Sequence, residues 1–197
     1  MKKIVYFCLA VSILAVGFTC ACAQVKAAKK AVFIIASANF QDDELAQPLG
    51  VLKGKGIAVT IASTTLEEIT GMNGGKAKAD ILLNNVVVDD YDAVVFIGGS
   101  GAAQYLDDPV AHTLARETLA KNKILGAICI APQILANAGV LKGKKATVYP
   151  TEGDKLKACD VNYTAQAVER DGFIITADGP KSAVAFGEAL SKALLNG

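Results

Sequence analysis

Residues 124–139 read ILGAICIAPQILANAG. Ile124 to Ile128 is a short, wholly apolar run that ends at Cys129, and Pro132 to Ala138 carries on as a helix stopped by Gly139. An apolar run of that length fits a strand buried on both faces, as in a parallel sheet. Cys129 therefore stands at a strand-to-helix elbow, with its sulfur near the start of the following helix. The partial positive charge there favours a thiolate, the reactive form of the side chain. A buried structural cysteine fits the same position equally well.

The same alternation extends in both directions. Upstream, Ala93 to Ile97 reads as a buried strand ending in Gly98-Gly99-Ser100-Gly101, and Asp108-Pro109 opens a helix to about Lys121, with Pro109 suited to a first turn. Further upstream, Ala31 to Ser37 (AVFIIAS) is a strand and Asn39-Phe40-Gln41 a loop. Asp42 and Asp43 then offer N-cap chemistry before Leu45, Leu49 and Leu52. Gly54 and Gly56 stop that helix, and Ile57 to Ala62 is a second strand. Lys76 to Val88 is less regular, with small strands or a hairpin expected around Gly74-Gly75. Downstream, Lys145 to Tyr149 and Phe173 to Thr176 read as strands, and Ser182 to Leu195 as the closing helix. Buried strands separated by helices predict an α/β domain: a parallel sheet with helices on both faces. No internal repeat or linker divides residues 24–197. Ligands in such sheets bind beyond the carboxyl ends of the strands. Ser37 to Glu44, Gly98 to Gly101 and Cys129 to Pro132 therefore converge on one rim.

The chain's beginning has a different character. Lys2 and Lys3 precede an uncharged run from Ile4 to Ala23, and Gln24 to Lys30 turns polar and basic. That order marks residues 1–23 as a secretory signal peptide, with Ala21-Cys22-Ala23 supplying small residues before a cut at Gln24. The expected location is periplasmic or extracellular. Two rival outcomes stand beside cleavage: lipidation of Cys22, giving a membrane-anchored lipoprotein, and retention of the apolar run as an anchor. Thr19-Cys20 ahead of Ala21 is a poor approach sequence for lipidation. Removal of the segment takes Cys8, Cys20 and Cys22 with it, and leaves Cys129 and Cys159, which is no disulfide framework. With 20 basic and 19 acidic residues mixed along its length, the chain lacks the clustered positive field of a nucleic-acid binder.

Glu44 is the second residue of chemical interest, because its helix starts from the same rim as Cys129. Asp42, Asp43 and Glu44 fit solvated first-turn acids; a Glu44 pointing inward would share a proton with the sulfur. Gly98 and Gly99 permit close backbone approach, and their N–H groups, with that of Ile130, are candidate donors to an oxyanion. A tight turn explains the glycine pair as well. His112, the one histidine, falls within the Pro109–Lys121 helix and reads as a surface residue rather than the base of a Cys-His pair. No metal site or cofactor is expected.

The segment Ala127 to Leu141 resembles the nucleophile-elbow region of the ThiJ/PfpI family, within the class I glutamine amidotransferase-like superfamily. Asp43-Glu44-Leu45-Ala46-Gln47-Pro48 resembles the family's acidic segment, and Phe96-Ile97-Gly98-Gly99 its strand and glycine pair. Thr147-Val148-Tyr149-Pro150 and Thr176-Ala177-Asp178-Gly179-Pro180 fall at two further landmarks. The resemblance implies a flavodoxin-like three-layer sandwich with a mostly parallel central sheet, and a homodimer. It also implies a reactive Cys129 beside a protonated Glu44, Gly99 as a backbone donor, and a pocket at Tyr149 and Pro180. It implies glyoxalase- or deglycase-like chemistry on a small reactive carbonyl, or cysteine oxidation under stress; a non-catalytic, chaperone-like dimer is the alternative. Ile130 stands where protease-like relatives carry histidine, and Tyr149 where other members do, which sets peptide hydrolysis below both. Asp178 stands where some relatives carry arginine, which implies weaker affinity for anions.

Overall fold

The computed structural model describes residues 28–196, and the expected signal peptide at 1–23 lies outside them. The elements run β1 (Lys30–Ile34), α1 (Asp42–Gly54), β2 (Ala58–Ser63), β3 (Glu68–Thr70), β4 (Lys76–Lys78), β5 (Ile81–Leu82) and β6 (Ala93–Phe96). They continue as α2 (Pro109–Ala120), β7 (Ile124–Ile128), α3 (Pro132–Asn137), β8 (Lys145–Ala146), α4 (Gly153–Ala158), β9 (Asn162–Tyr163), β10 (Val168–Asp171), β11 (Ile174–Ala177) and α5 (Ala183–Asn196).

A seven-stranded sheet has the order β10-β11-β7-β6-β1-β2-β5. Every pair in it is parallel except β10 with β11. The inner strands are apolar because both faces are covered. On one face Phe33, Val95 and Ile175 pack with Leu45 and Leu52 of α1 and Phe186 and Leu190 of α5. On the other, Val32, Val94 and Leu125 pack with Leu114 of α2, Ile134 of α3 and Leu156 of α4. The expected three-layer α/β sandwich, flavodoxin-like and mostly parallel, is the architecture observed. Strand order reverses at β1, with β2 on one side and β6 on the other, so a crevice opens at the carboxyl edge there.

Several local expectations need correction. Only Lys145–Ala146 of the run to Tyr149 is strand, and it pairs with β9 outside the main sheet. The rest of that run spends its N–H groups elsewhere: Thr147 donates to Thr176 Oγ1 at 2.9 Å and Tyr149 to the Cys129 carbonyl at 2.8 Å. Helix α4 and strands β9 and β10 were not anticipated. The N-cap of α1 is Gln41, whose side chain accepts from the Glu44 N–H at 2.9 Å. Asp42 instead accepts the N–H groups of Asn73 at 2.8 Å and Gly75 at 2.6 Å, so it holds the β3–β4 turn. Among the described residues, no helix is long and apolar enough to cross a membrane.

Candidate active site

Cys129 has φ 63°, a left-handed conformation that costs a non-glycine residue of order 1–3 kcal/mol. Its neighbours fix it there. Its N–H donates to the Ala177 carbonyl at 2.9 Å, and its carbonyl accepts from Tyr149. The elbow is thus pinned to the end of β11 on one side and to the 147–150 segment on the other. Such a turn lifts a side chain out of the sheet edge, as in nucleophile elbows. The residue is 7% exposed, enough to be reached but mostly dry.

Glu44 enters from α1 and is fully buried. Gln41 sets its position twice, capping the Glu44 N–H with its side chain and donating its own N–H to the Gly98 carbonyl at 3.1 Å. The Gln41-x-x-Glu44 spacing is that of a capping box, with glutamine where serine or threonine is usual. Gly98 separates the two side chains. A Cβ there would overlap Glu44 Oε2, Cys129 Cβ and the Ile128 carbonyl, so glycine is required for the acid and the thiol to meet. Gly99 is needed for another reason: with φ 97°, it runs against the backbone of Asn39, Phe40 and Gln41.

Burial pushes the Glu44 carboxyl up to about 8, with Asp43 and Asp178 adding repulsion; the Cys129 thiol and the Gly98 N–H pull the other way. Those last two act through contacts too loose to count as formed hydrogen bonds, since neither carboxyl oxygen has a partner at full geometry. The upward direction favours the protonated carboxyl at neutral pH. Burial, then the charge that Glu44 can carry, pushes the Cys129 thiol up to about 12, against the N–H groups of Gly99 and Ile130. The expected helix-dipole help is weak here. Helix α3 has only six residues and starts at Pro132, and the Ala131 N–H is already given to Ile128.

Beside the pair lies a cavity of about 520 Å³, walled by Tyr149, Pro150, Asp178, Gly179, Pro180 and Lys181. Two of its wall residues border the pair: the Tyr149 N–H donates to the Cys129 carbonyl, and a Cβ on Gly179 would stand 4.0 Å from Glu44 Oε1. A smaller cleft of about 130 Å³, with Lys29, Asp92, Lys123 and Phe173 in its walls, lies at the amino ends of the strands, away from this chemistry. His112 is not at the rim; its Nε2 bonds the Leu106 carbonyl at 2.8 Å, fastening α2 to the loop before it. Cys159 is a separate free thiol that accepts a 3.5 Å contact from Gln133. All three segments expected at the rim do meet there, joined by Tyr149 and the 178–181 turn.

The sequence profile of the DJ-1/PfpI family matches residues 29–193. An uncharacterised protein of Methanocaldococcus jannaschii is 40% identical over 168 residues, covering 84% of this chain and 82% of that protein. A deglycase of Pyrococcus horikoshii is 36% identical over 143 residues, 73% of this chain and 86% of the enzyme. Among solved structures, a ThiJ/PfpI domain protein of Brachyspira murdochii superposes with a TM-score of 0.83 at 29% identity, covering 86% of this chain and 97% of that one.

Proposed function

The chain belongs to the DJ-1/PfpI family, and from that premise we propose that it is an exported, homodimeric protein whose Cys129 and Glu44 act together on small reactive carbonyl compounds, in deglycase- or glyoxalase-like chemistry. The observation that carries this reading is the meeting of a neutral, buried acid and a thiol around Gly98, where no side chain comes between them. The deglycase name of a relative at 36% identity supports the same chemistry.

The residues suit carbonyl addition. The Cys129 S–H bond breaks, its proton going to solvent, as the sulfur bonds to the aldehyde carbon of a 2-oxoaldehyde; the carbon–oxygen π pair moves to oxygen, which takes the Glu44 proton. The ionised Glu44 can then take the proton from the sulfur-bearing carbon and return it to the neighbouring one, while the first oxygen gives its proton to solvent and the neighbouring carbonyl oxygen takes one. Water hydrolyses the resulting thioester to a hydroxy acid and the free thiol, and Glu44 regains its proton from solvent. The N–H groups of Gly98, Gly99 and Ile130 are the candidate donors to charge on sulfur or oxygen. Oxidation of the same thiol by peroxide under stress would use the same N–H groups. Peptide hydrolysis needs protonation of an amine leaving group, and His112 is engaged at Leu106.

The test is consumption of methylglyoxal by the pure protein. Activity abolished in Cys129→Ala and retained in His112→Ala is expected, with no cleavage of casein. A thiol that burial holds protonated favours the second reading, a non-catalytic binding or chaperone-like dimer; wild-type protein without turnover would move the assignment there. Mass spectrometry of protein from fractionated cells reads the mature N-terminus, expected near Gln24, and sedimentation reads the dimer.

A further inference from the structure

We infer that Asp178 makes the entrance to Cys129 selective by charge, admitting neutral and cationic carbonyl compounds and turning away anionic ones such as α-keto acids. This rests on the reading of Cys129 as a reactive thiol open to the cavity beside it. Asp178 follows β11 directly and lines that cavity. Two bonds hold it: its N–H donates to the Ala167 carbonyl at 3.0 Å, and its Oδ1 accepts from the Ser182 hydroxyl. A carboxylate held this way cannot swing aside to make room for a second negative charge.

The charges around it do not cancel its effect. Lys181 is the cation in the same wall, but it is exposed, where water screens it. Asp178 is half-buried, and its field is among those acting on Glu44. Asp43 also acts on Glu44 but is exposed, and water screens it as it screens Lys181. An anion approaching through this cavity therefore meets the half-buried carboxylate of Asp178.

Iodoacetamide and iodoacetate test this, being of similar size and differing by one negative charge. With each reagent the Cys129 sulfur bonds to the methylene carbon, the carbon–iodine bond breaks, iodide leaves and the thiol proton goes to solvent. The same thiolate attacks both, so the ratio of their rates cancels any change in how much thiolate is present. The ratio of iodoacetate to iodoacetamide should be lower at Cys129 than at Cys159 in the same molecule. Asp178→Asn keeps the acceptor for Ser182 and should raise the Cys129 ratio at least about threefold, leaving that at Cys159 unchanged. A ratio unmoved by Asp178→Asn, or one that follows Lys181→Gln instead, overturns the inference alone. Failure of both reagents to modify Cys129 overturns the reactive-thiol reading and this inference with it.

Discussion

Glu44 and Cys129 titrate as a pair, and their coupling has a measurable sign. The thiol is pushed up first by burial and second by the charge on Glu44, and that second cause exists only when Glu44 is ionised. Well below about pH 8 Glu44 holds its proton, so its charge is absent and burial is the main opposition to the thiolate. Alkylation of Cys129 should therefore proceed at similar rates in wild type and Glu44→Gln near neutrality. Above about pH 8 the two should diverge, with the variant faster because no carboxylate forms beside its sulfur. Rates measured against pH in a Cys159→Ser background check this, and parallel profiles across that window would remove Glu44 as the controlling charge. The sequence made the positions of both residues legible, since the elbow and the first turn of α1 point at one rim. It did not make the thiol's electrostatics legible. The sequence suggests that a helix start stabilises the thiolate, but α3 is one short helix and the surrounding burial outweighs it.

At the scale of elements, α1 and the β3–β4 hairpin form one assembly at the rim. Asp42 joins them through two backbone N–H groups, Met72 donates its N–H to Phe40 at 2.8 Å, and the Ser100 N–H meets Met72 Sδ at 3.3 Å. None of this was legible from local pattern, because Asp42 and Gly75 are 33 residues apart in sequence and an acid at a helix start already has an ordinary explanation in capping. The same blindness to distant partners explains the strand expected over Lys145 to Tyr149: its apolar residues read as strand, but its N–H groups are claimed by Thr176 and Cys129. Asp42→Ala should lose both charge-assisted bonds and destabilise the fold by about 1–2 kcal/mol, discounted for solvent exposure. Urea unfolding would measure the loss, and hydrogen exchange should show it concentrated at residues 71–75. Asp42→Asn, which keeps one good acceptor, should lose less. A variant with unchanged stability and unchanged exchange at the turn would show that the hairpin stands without Asp42.

For the molecule as a whole, the layered fold was legible because strands buried on both faces leave continuous apolar runs, whereas the edge strand β10 (Val168–Asp171) carries two acids and an arginine and hides in sequence. The same burial that makes the core readable sets how stability responds to pH. Glu44 holds its proton up to about 8 in the folded chain against 4.5 for the ordinary side chain. Between those values the folded state binds more protons than the unfolded one, so stability falls as pH rises. The contribution is fully present below about 4.5 and is lost by about 8. At about 1.4 kcal/mol per pKa unit, it amounts to as much as about 5 kcal/mol for this fully buried group. Asp92 acts in the opposite sense at more acid pH: burial raises its carboxyl, but Lys29 and the Lys30 N–H outweigh that and hold it below 3.8, so its contribution is lost on acidification. The melting temperature of wild type should therefore decline from pH 5 to pH 8. Glu44→Gln, which cannot ionise, should show a much flatter profile and overtake wild type at the alkaline end of the window. Calorimetry of both proteins across that range decides it; a wild-type Tm that holds level, or a variant that falls in parallel with it, would mean that Glu44 is charged in the folded protein at neutral pH.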